Sequence, residues 1–281
     1  MARDRELAPA ELVERVEAEA WAEQQLAAPE PFRARFGIEV RRPGGGVALL
    51  ARGADLLGMN RVFALGFAAP LDDVLLDELV AGYRGAGVKR FILHRSPEGA
   101  PPDAPSRLHA RGFHARTRMA KLCRRADRSA SAPTELRLAE IGVEEADVYA
   151  ETLVGGHGEP PDLAPGFRAT IGLPHWRHYL ALDGDRPVAG AALFVLGDAG
   201  WCGFSATLPG DRGRGAHGAL LARRVRDAGA MGCIWVTCET MEDTPERPNP
   251  SYRNMRRAGF ELVYLRPNSL IDLTAPPSGD T

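Results

Sequence analysis

Lysine is almost missing from this chain of 281 residues: Lys89 and Lys121 are the only two, and every other basic residue is arginine. Alanine and glycine are abundant as well, so the bias reads as coding composition and carries no functional weight. An excess of one charge is missing too. Lys+Arg 35 against Asp+Glu 37 leaves a net charge of −2, which supplies no field toward nucleic acid or an anionic membrane. Neither is expected as a partner. No apolar run approaches the roughly 18 residues that a membrane span needs. The N-terminal stretch is charged throughout, with no hydrophobic segment of a secretory signal. A cytoplasmic protein is expected. Cysteine is sparse: Cys123, Cys202, Cys233 and Cys238 show no C-x-x-C spacing and form no ligand-spaced cluster with the seven histidines. Buried, reduced thiols and no metal site are the expectation.

What remains is ordinary globular composition, with 44% hydrophobic and 26% charged residues. At roughly 150 residues per domain the length suggests two domains. Residues 8–28 have helical spacing, with Leu12, Val16, Ala20 and Trp21 in phase. Strand patterns at 37–41 and 47–52 flank Pro43-Gly44-Gly45-Gly46, a turn composition. A strand at 61–67 follows, then a helix over 71–83 with Val74, Leu75, Leu79 and Val80 on one face. A buried strand at 89–94, a short helix at 106–110 and a strand at 115–123 complete this half.

Residues 124–134 are polar, small and proline-bearing, the composition of a linker. They divide the chain into a domain at 1–123 and another at 135–273, with 274–281 expected as a disordered tail. The second half reads as a strand at 135–139, a helix at 144–152 and a Gly/Pro-rich loop at 154–165. Strands at 176–182 and 187–196 then flank the turn Asp183-Gly184-Asp185. A strand at 201–208, a helix at 215–228, a strand at 233–238, a short helix at 250–258 and a strand at 261–265 follow. Both halves close alike. Ser106-Arg-Leu-His-Ala-Arg-Gly-Phe113 and Tyr252-Arg-Asn-Met-Arg-Arg-Ala-Gly-Phe260 each set a basic helix before Gly-Phe and a strand. That is the mark of an internal duplication at domain scale, and the fold class is α/β with mixed sheets.

The segment Leu208-Pro-Gly-Asp-Arg-Gly-Arg-Gly-Ala-His-Gly-Ala-Leu-Leu221 stands directly after a strand and opens a helix. Its glycines let backbone N–H groups converge, and the new helix adds its first unpaired N–H groups and the positive end of its dipole. Such a turn suits a phosphate, with Arg212 and Arg214 as fixed charge at the rim. Leu220, Leu221, Val225 and Ala228 give the helix a buried face; Arg223, Arg224 and Arg226 are expected on the wet one. No Gly-Lys-Ser/Thr follows, so this is no Walker loop, and the glycine spacing is not that of a dinucleotide fingerprint.

Strand, Arg-x-x-Gly-x-x turn, helix, strand, then Asn249-Pro-Ser-Tyr-Arg-Asn-Met-Arg-Arg-Ala-Gly-Phe260: this order resembles the GNAT superfamily of acyl-CoA N-acyltransferases, over roughly residues 134–273. The resemblance implies two GNAT-like domains in tandem and acetyl-CoA as co-substrate. After its strand the first half has Ala68-Ala-Pro-Leu-Asp-Asp73, acidic and without glycine, so it implies a degenerate copy and one cofactor per chain. In the family the Gly-rich turn wraps the pyrophosphate, which carries over to Arg212, Gly213, Arg214, Gly215, Ala216, His217 and Gly218. His217 departs from the usual Gly or Ala and is expected to point outward. The family's preceding strand pairs its backbone with pantetheine, and a bulge in it sets N–H groups near the thioester carbonyl. Here the matching residues are Ser205, Ala206 and Thr207. Asn254 matches a polar position that reaches the cofactor in some relatives.

Family members often place a Tyr four residues before the Gly-Phe pair as the acid for the leaving thiolate. Met255 stands there, and Tyr252 lies one helical turn earlier. Glu239, where the strand at 233–238 ends, is the candidate base. His157 and Glu159, in the loop that corresponds to the acceptor region, are candidate substrate-binding residues. Asn249-Pro250-Ser251 needs no chemistry, being a helix cap with Pro at the first helical position. The leading reading is acyl transfer, most simply acetyl, to a primary amine of a small molecule by a monomer or homodimer. Two alternatives stand beside it. One is other acyl-CoA chemistry on the same fold, such as S-acyl transfer to a thiol or carrier protein, or malonyl-CoA decarboxylation. The other is a non-catalytic coenzyme A-binding module.

Overall fold

Val16 and Ala20 are buried along the first helix, α1 (Ala10–Ala27), as its spacing predicts, together with Val13, Ala18 and Ala22, while Leu12 and Trp21 are half-buried. The structure, a computed structural model, describes residues 8–274, and the tail from residue 275 lies outside the described residues. Two compact units make it up. The first comprises residues 9–26, 30–119 and 264–274; the second comprises residue 8, residues 27–29 and residues 120–263. The second half as read from sequence runs to 273, whereas residues from 264 on belong to the first unit, where residues 268–272 pair antiparallel, Asn268 opposite His94 through Asp272 opposite Arg90. No helix among the described residues is long and apolar enough to cross a membrane.

In the first unit α1 is followed by α2 (Glu30–Phe36), β1 (Ile38–Arg41), β2 (Val47–Ala51), β3 (Arg61–Phe63), α3 (Asp73–Gly85), β4 (Arg90–His94), α4 (Ala104–Ala110) and β5 (His114–Arg125). β1, β2 and β3 pair antiparallel in succession, and β3 runs parallel to β4. Side chains alternate across a strand, and every residue of β2 is buried because helices cover both of its faces. Val47 and Leu49 meet Ala18 and Ala22 of α1. Ala48 and Leu50 join Leu76, Leu79 and Tyr83 of α3. Val74, expected on that face, is exposed. The strand expected to reach residue 67 stops at Phe63, because Ala64 (φ 57°) and Gly66 (φ 90°) turn the backbone left-handed.

The inner side of α1 also carries charge. Glu14 and Glu17, both buried, receive Arg266: Nη1 lies 2.9 Å from Glu14 and 2.6 Å from Glu17, and Nη2 3.0 Å from Glu17. Tyr264 donates to Glu14 at 2.7 Å. A helix that reads as amphipathic thus presents two carboxylates to a guanidinium from the end of the chain, since buried charges persist only when paired and hydrogen-bonded.

The second unit adds β6 (Arg137–Ile141), α5 (Ala146–His157), α6 (Ala164–Arg168), β7 (Trp176–Asp183), β8 (Arg186–Leu196), β9 (Ala199–Thr207), α7 (Ala216–Ala230), β10 (Trp235–Met241), α8 (Pro250–Arg257) and the first three residues of β11 (Glu261–Asp272), the rest of which lies in the first unit. β6, β7, β8 and β9 pair antiparallel in that order, and β9 runs parallel to β10. α5 lies on one face, where Tyr149 meets the His178 ring at 5.1 Å. α7 lies on the other, where Tyr179 donates to Asp227 at 3.0 Å. All four cysteines are buried free thiols.

Two expectations fail in this unit. The Gly/Pro-rich stretch at 154–165 is largely helical: α5 continues to His157 and α6 begins at Ala164. Gly155 and Gly156 are close-approach residues, since a Cβ on Gly156 would stand 2.6 Å from Ala206 Cβ. Arg224, expected on the wet face of α7, is 1% exposed.

Candidate active site

The two parallel strands of the second unit pair only at their start, from Trp235 opposite Ala199 to Thr237 opposite Trp201, although β9 runs on to Thr207 and β10 to Met241. Beyond that point β9 keeps β8 alone as its ladder partner among the described residues. Its register slips there: Ala192 faces Gly203 and Gly190 faces Ala206, so Phe204 and Ser205 together oppose Ala191. This is a β-bulge, which frees backbone groups from the ladder. Phe204 has φ 44°, an unfavourable value for an aromatic residue. The surrounding rings hold it, with Trp201 at 5.3 Å, Trp176 at 5.8 Å and Phe167 at 6.3 Å. Ser205 and Thr207 are half-buried, while Ala206 is buried against α5.

β9 delivers the chain to the Gly-rich turn. Gly213 (φ 84°) and Gly215 (φ 82°) are left-handed, and Gly215 caps α7 with no side-chain bond to its N-terminus. A Cβ on Gly213 or on Gly218 would meet nothing within 4 Å. Open space beside these glycines and a helix start with no side-chain cap fit a diphosphate.

The two arginines of the turn differ in role. Arg214 donates to Asp183 at 2.8 Å and to Asp211 at 3.0 Å. Asp211 also takes both Arg186 nitrogens, at 2.7 and 2.8 Å, and these bonds pull its carboxyl down to about 2. Arg214 thus braces the turn, and the fixed charge expected of it at the rim is neutralised by Asp183 and Asp211. Arg212 is exposed and, among the described residues, reaches only the Gly156 carbonyl, at 3.4 Å. It is the cation left for a phosphate.

His217 does not point outward. Half-buried in the first turn of α7, it meets Asn254 of α8 at 3.3 Å. Burial and then the Arg224 guanidinium push its imidazole down to about 4, so it is neutral at pH 7 and adds no charge to the turn. Burial likewise pushes His178 down to about 3. An unfolded histidine titrates near 6.5, so the unfolded chain binds these protons first. Stability from the two groups is complete above about pH 6.5 and is lost as pH falls toward 4 and then 3. The thermal midpoint should accordingly drop between pH 7 and 4, and a flat midpoint over that range would contradict the burial of these rings.

At the mouth of the split, Glu239 accepts from Trp201 Nε1 at 2.8 Å and lies 3.5 Å from the Lys121 ammonium. The lysine side chain is fully buried and that of Glu239 is 14% exposed. Trp201 in turn lies over Gly203, where a Cβ would stand 1.9 Å from the ring. Asn249 caps α8 by accepting from Ser251 and Tyr252 amides, and its side-chain amide ties back to Thr240 and Met241. Met255 is buried. Tyr252, half-buried one turn before it, makes no side-chain hydrogen bond among the described residues, so its hydroxyl is available to a bound molecule. His157 ends α5 with its ring stacked on Phe167 at 5.9 Å, one ring from Phe204. His157 is itself exposed. Glu159 is exposed just beyond. Sequence reading missed the anchors Lys121 and Trp201, because nothing local pairs them with Glu239.

No family model matches the sequence, and no curated protein sequence does. Solved structures of similar fold include a GCN5-related N-acetyltransferase from Kribbella flavida, 18% identical over 91% of this chain and 95% of that one, with a TM-score of 0.58. Another, from Sphaerobacter thermophilus, is 17% identical over 97% and 98%, with a TM-score of 0.59. A tandem GNAT protein from the clavulanic acid biosynthesis pathway is 16% identical over 82% and 79%, with a TM-score of 0.58. The chain has the tandem GNAT fold.

The GNAT half formed by the first unit has parallel strands too, paired at Arg61 opposite Ile92 and Val62 opposite Leu93. Its helix start differs. Asp72 caps α3 by accepting from the Leu75 amide at 2.9 Å, and Asp73 follows in the first turn. Carboxylates thus occupy this helix start, in contrast to the glycines at the start of α7.

Proposed function

We propose that the second unit is an acyl-CoA-dependent N-acyltransferase that moves an acetyl group from acetyl-CoA to a primary amine of a small molecule. The observation that carries this reading is the bulged β9 leading through two left-handed glycines into the open N-terminus of α7, beside the point where β10 parts from it. The first unit is the degenerate partner, and one cofactor binds per chain. Arg212 and the first-turn amides from Ala216 to Gly218 hold the diphosphate, with Gly213 and Gly215 giving the backbone its curvature. Arg214 braces that curvature. The backbone of Ser205, Ala206 and Thr207 pairs with the pantetheine arm, and Asn254 with neutral His217 borders it from α8. The bound acetyl-CoA supplies an activated acyl carbon.

In the reaction the amine nitrogen attacks the thioester carbonyl carbon. The C–N bond forms, the C–S bond breaks, the nitrogen gives up one proton and the leaving sulfur takes one, yielding an amide and a free thiol. An aliphatic amine has a pKa near 10, so only about one molecule in a thousand is unprotonated at pH 7. Glu239 accepts through water the proton that the ammonium must lose before attack and returns it to solvent. The second proton, released once the C–N bond has formed, replaces the one given to the sulfur. Tyr252, whose hydroxyl has no hydrogen-bond partner among the described residues, donates to the sulfur. The bulge amides meet the negative charge that grows on the carbonyl oxygen. His157 and Glu159 border the acceptor.

Titration calorimetry with coenzyme A and a product screen by mass spectrometry over a panel of amines test this reading. One site per chain and an acetylated amine are expected. Binding without any turnover would favour the non-catalytic module, acylation of thiols alone would favour the other acyl-CoA chemistry, and two equal sites per chain would overturn the degenerate first half.

A further inference from the structure

Arg224 is a guanidinium held in the interior with no carboxylate partner among the described residues. It is 1% exposed, and its hydrogen bonds all go to backbone oxygens: Nε to Leu220 at 3.1 Å, and Nη1 to Ala192 at 3.0 Å and Gly203 at 3.2 Å. A guanidinium stays protonated under all ordinary conditions, and a buried charge paired with no opposite charge is costly. Its placement is specific. Ala192 and Gly203 face each other as the last regular pair before the register slips. The Gly203 carbonyl belongs to the same peptide unit as the Phe204 N–H, so the cation donates into the peptide that opens the bulge.

That peptide is fixed from its other sides as well. Trp201 lies over the Gly203 α-carbon, tolerated because Gly203 has no Cβ, and is itself anchored to Glu239. The Phe204 ring packs among Trp176, Trp201 and Phe167. The field of Arg224 reaches the surrounding groups: it adds to burial in keeping His217 neutral, and it opposes burial at the Cys202 and Cys238 thiols.

We propose that Arg224 is a positioning residue for acyl transfer, which fixes and polarises the Gly203–Phe204 peptide so that the bulge amides stabilise the oxyanion formed on the thioester. This rests on the N-acyltransferase reading above. A hydrogen bond at a peptide carbonyl strengthens donation from its own N–H, and an oxyanion donor acts only where its direction is held before reaction. The cation behind the peptide supplies both, without touching the substrate.

The test uses the whole chain with acetyl-CoA labelled by 13C at the acetyl carbonyl. Difference infrared spectroscopy reads that carbonyl when bound, and steady-state kinetics are measured alongside. In the wild type the bound carbonyl stretch should fall below its value in water. Arg224→Met should lose that shift and lower kcat roughly tenfold to a hundredfold, less than the 10²–10³ of deleting an oxyanion donor outright. KM for acetyl-CoA and Kd for coenzyme A, which has no acyl carbonyl, should change little. Arg224→Lys, keeping the charge with a different donor geometry, should recover part of both losses, and Arg224→Gln less. If Arg224→Met does not fold, the graded order Arg, Lys, Gln in carbonyl shift carries the test. Equal shifts and equal kcat across folded variants would overturn the role of Arg224. A wild type that shifts the carbonyl but acylates no amine would instead overturn the N-acyltransferase reading, leaving the shift series to judge Arg224.

Discussion

Gly218→Asp should abolish coenzyme A binding while leaving the protein as stable as before or slightly more so. Gly218 is the third residue of α7, in ordinary helical conformation, and a side chain there would meet nothing within 4 Å. A carboxylate in the first turn of a helix is favourable by about 0.3–1 kcal/mol through the dipole, and removing a glycine from a helix adds about as much again. The same carboxylate stands where a diphosphate must lie. Stability and binding therefore move in opposite directions, which a folding defect cannot imitate. Gly215→Asp is a poorer test, because φ is 82° and a Cβ would press to 3.1 Å from the Pro133 carbonyl. Arg212→Ala removes the turn's one cation lacking a carboxylate partner among the described residues, and should weaken affinity roughly tenfold or more. Calorimetry with coenzyme A and a thermal midpoint decide the matter: unchanged affinity in Gly218→Asp would mean that the diphosphate binds elsewhere.

That turn was readable in the sequence because its signal is local. A strand, two glycines that must take positive φ and a helix start are all contiguous, and the structure has them where the residues place them. The hairpin around Asp183-Gly184-Asp185 and the helix α3 were readable for the same reason. The failures share a cause of the opposite kind. Leu220, Arg224 and Ala228 lie four apart on one stripe of α7, so the spacing marked Arg224 as inward, yet its neighbours Arg223 and Arg226 made the run look solvated. Glu14 and Glu17 turn inward on α1 only because Arg266 arrives from the far end of the chain. Gly155 and Gly156 read as loop when their purpose is to let α5 approach β9. Each of these three misses is a polar or small residue whose partner is remote in sequence, and the Lys121–Glu239–Trp201 set in the candidate site belongs with them.

Glu239→Gln should lower turnover at pH 7 by about 10²-fold or more if Glu239 takes the amine's proton, with coenzyme A affinity nearly unchanged. The loss should shrink as pH rises toward 9, where more of the amine is already neutral. The structure adds a complication with a definite remedy. Glutamine can still accept from Trp201 Nε1, but it removes the negative charge 3.5 Å from the fully buried Lys121 ammonium. Taking one partner from a buried ion pair costs about 3–5 kcal/mol, so the variant should also melt earlier, and reduced turnover alone would not identify a base. The double variant Lys121→Met with Glu239→Gln removes both charges and should regain much of the lost stability. If Glu239 accepts the proton, the double variant stays slow with the same pH dependence. If instead turnover returns together with the thermal midpoint, Glu239 serves only to neutralise Lys121 and hold Trp201 over the bulge, and the proton goes to His157, Glu159 or water.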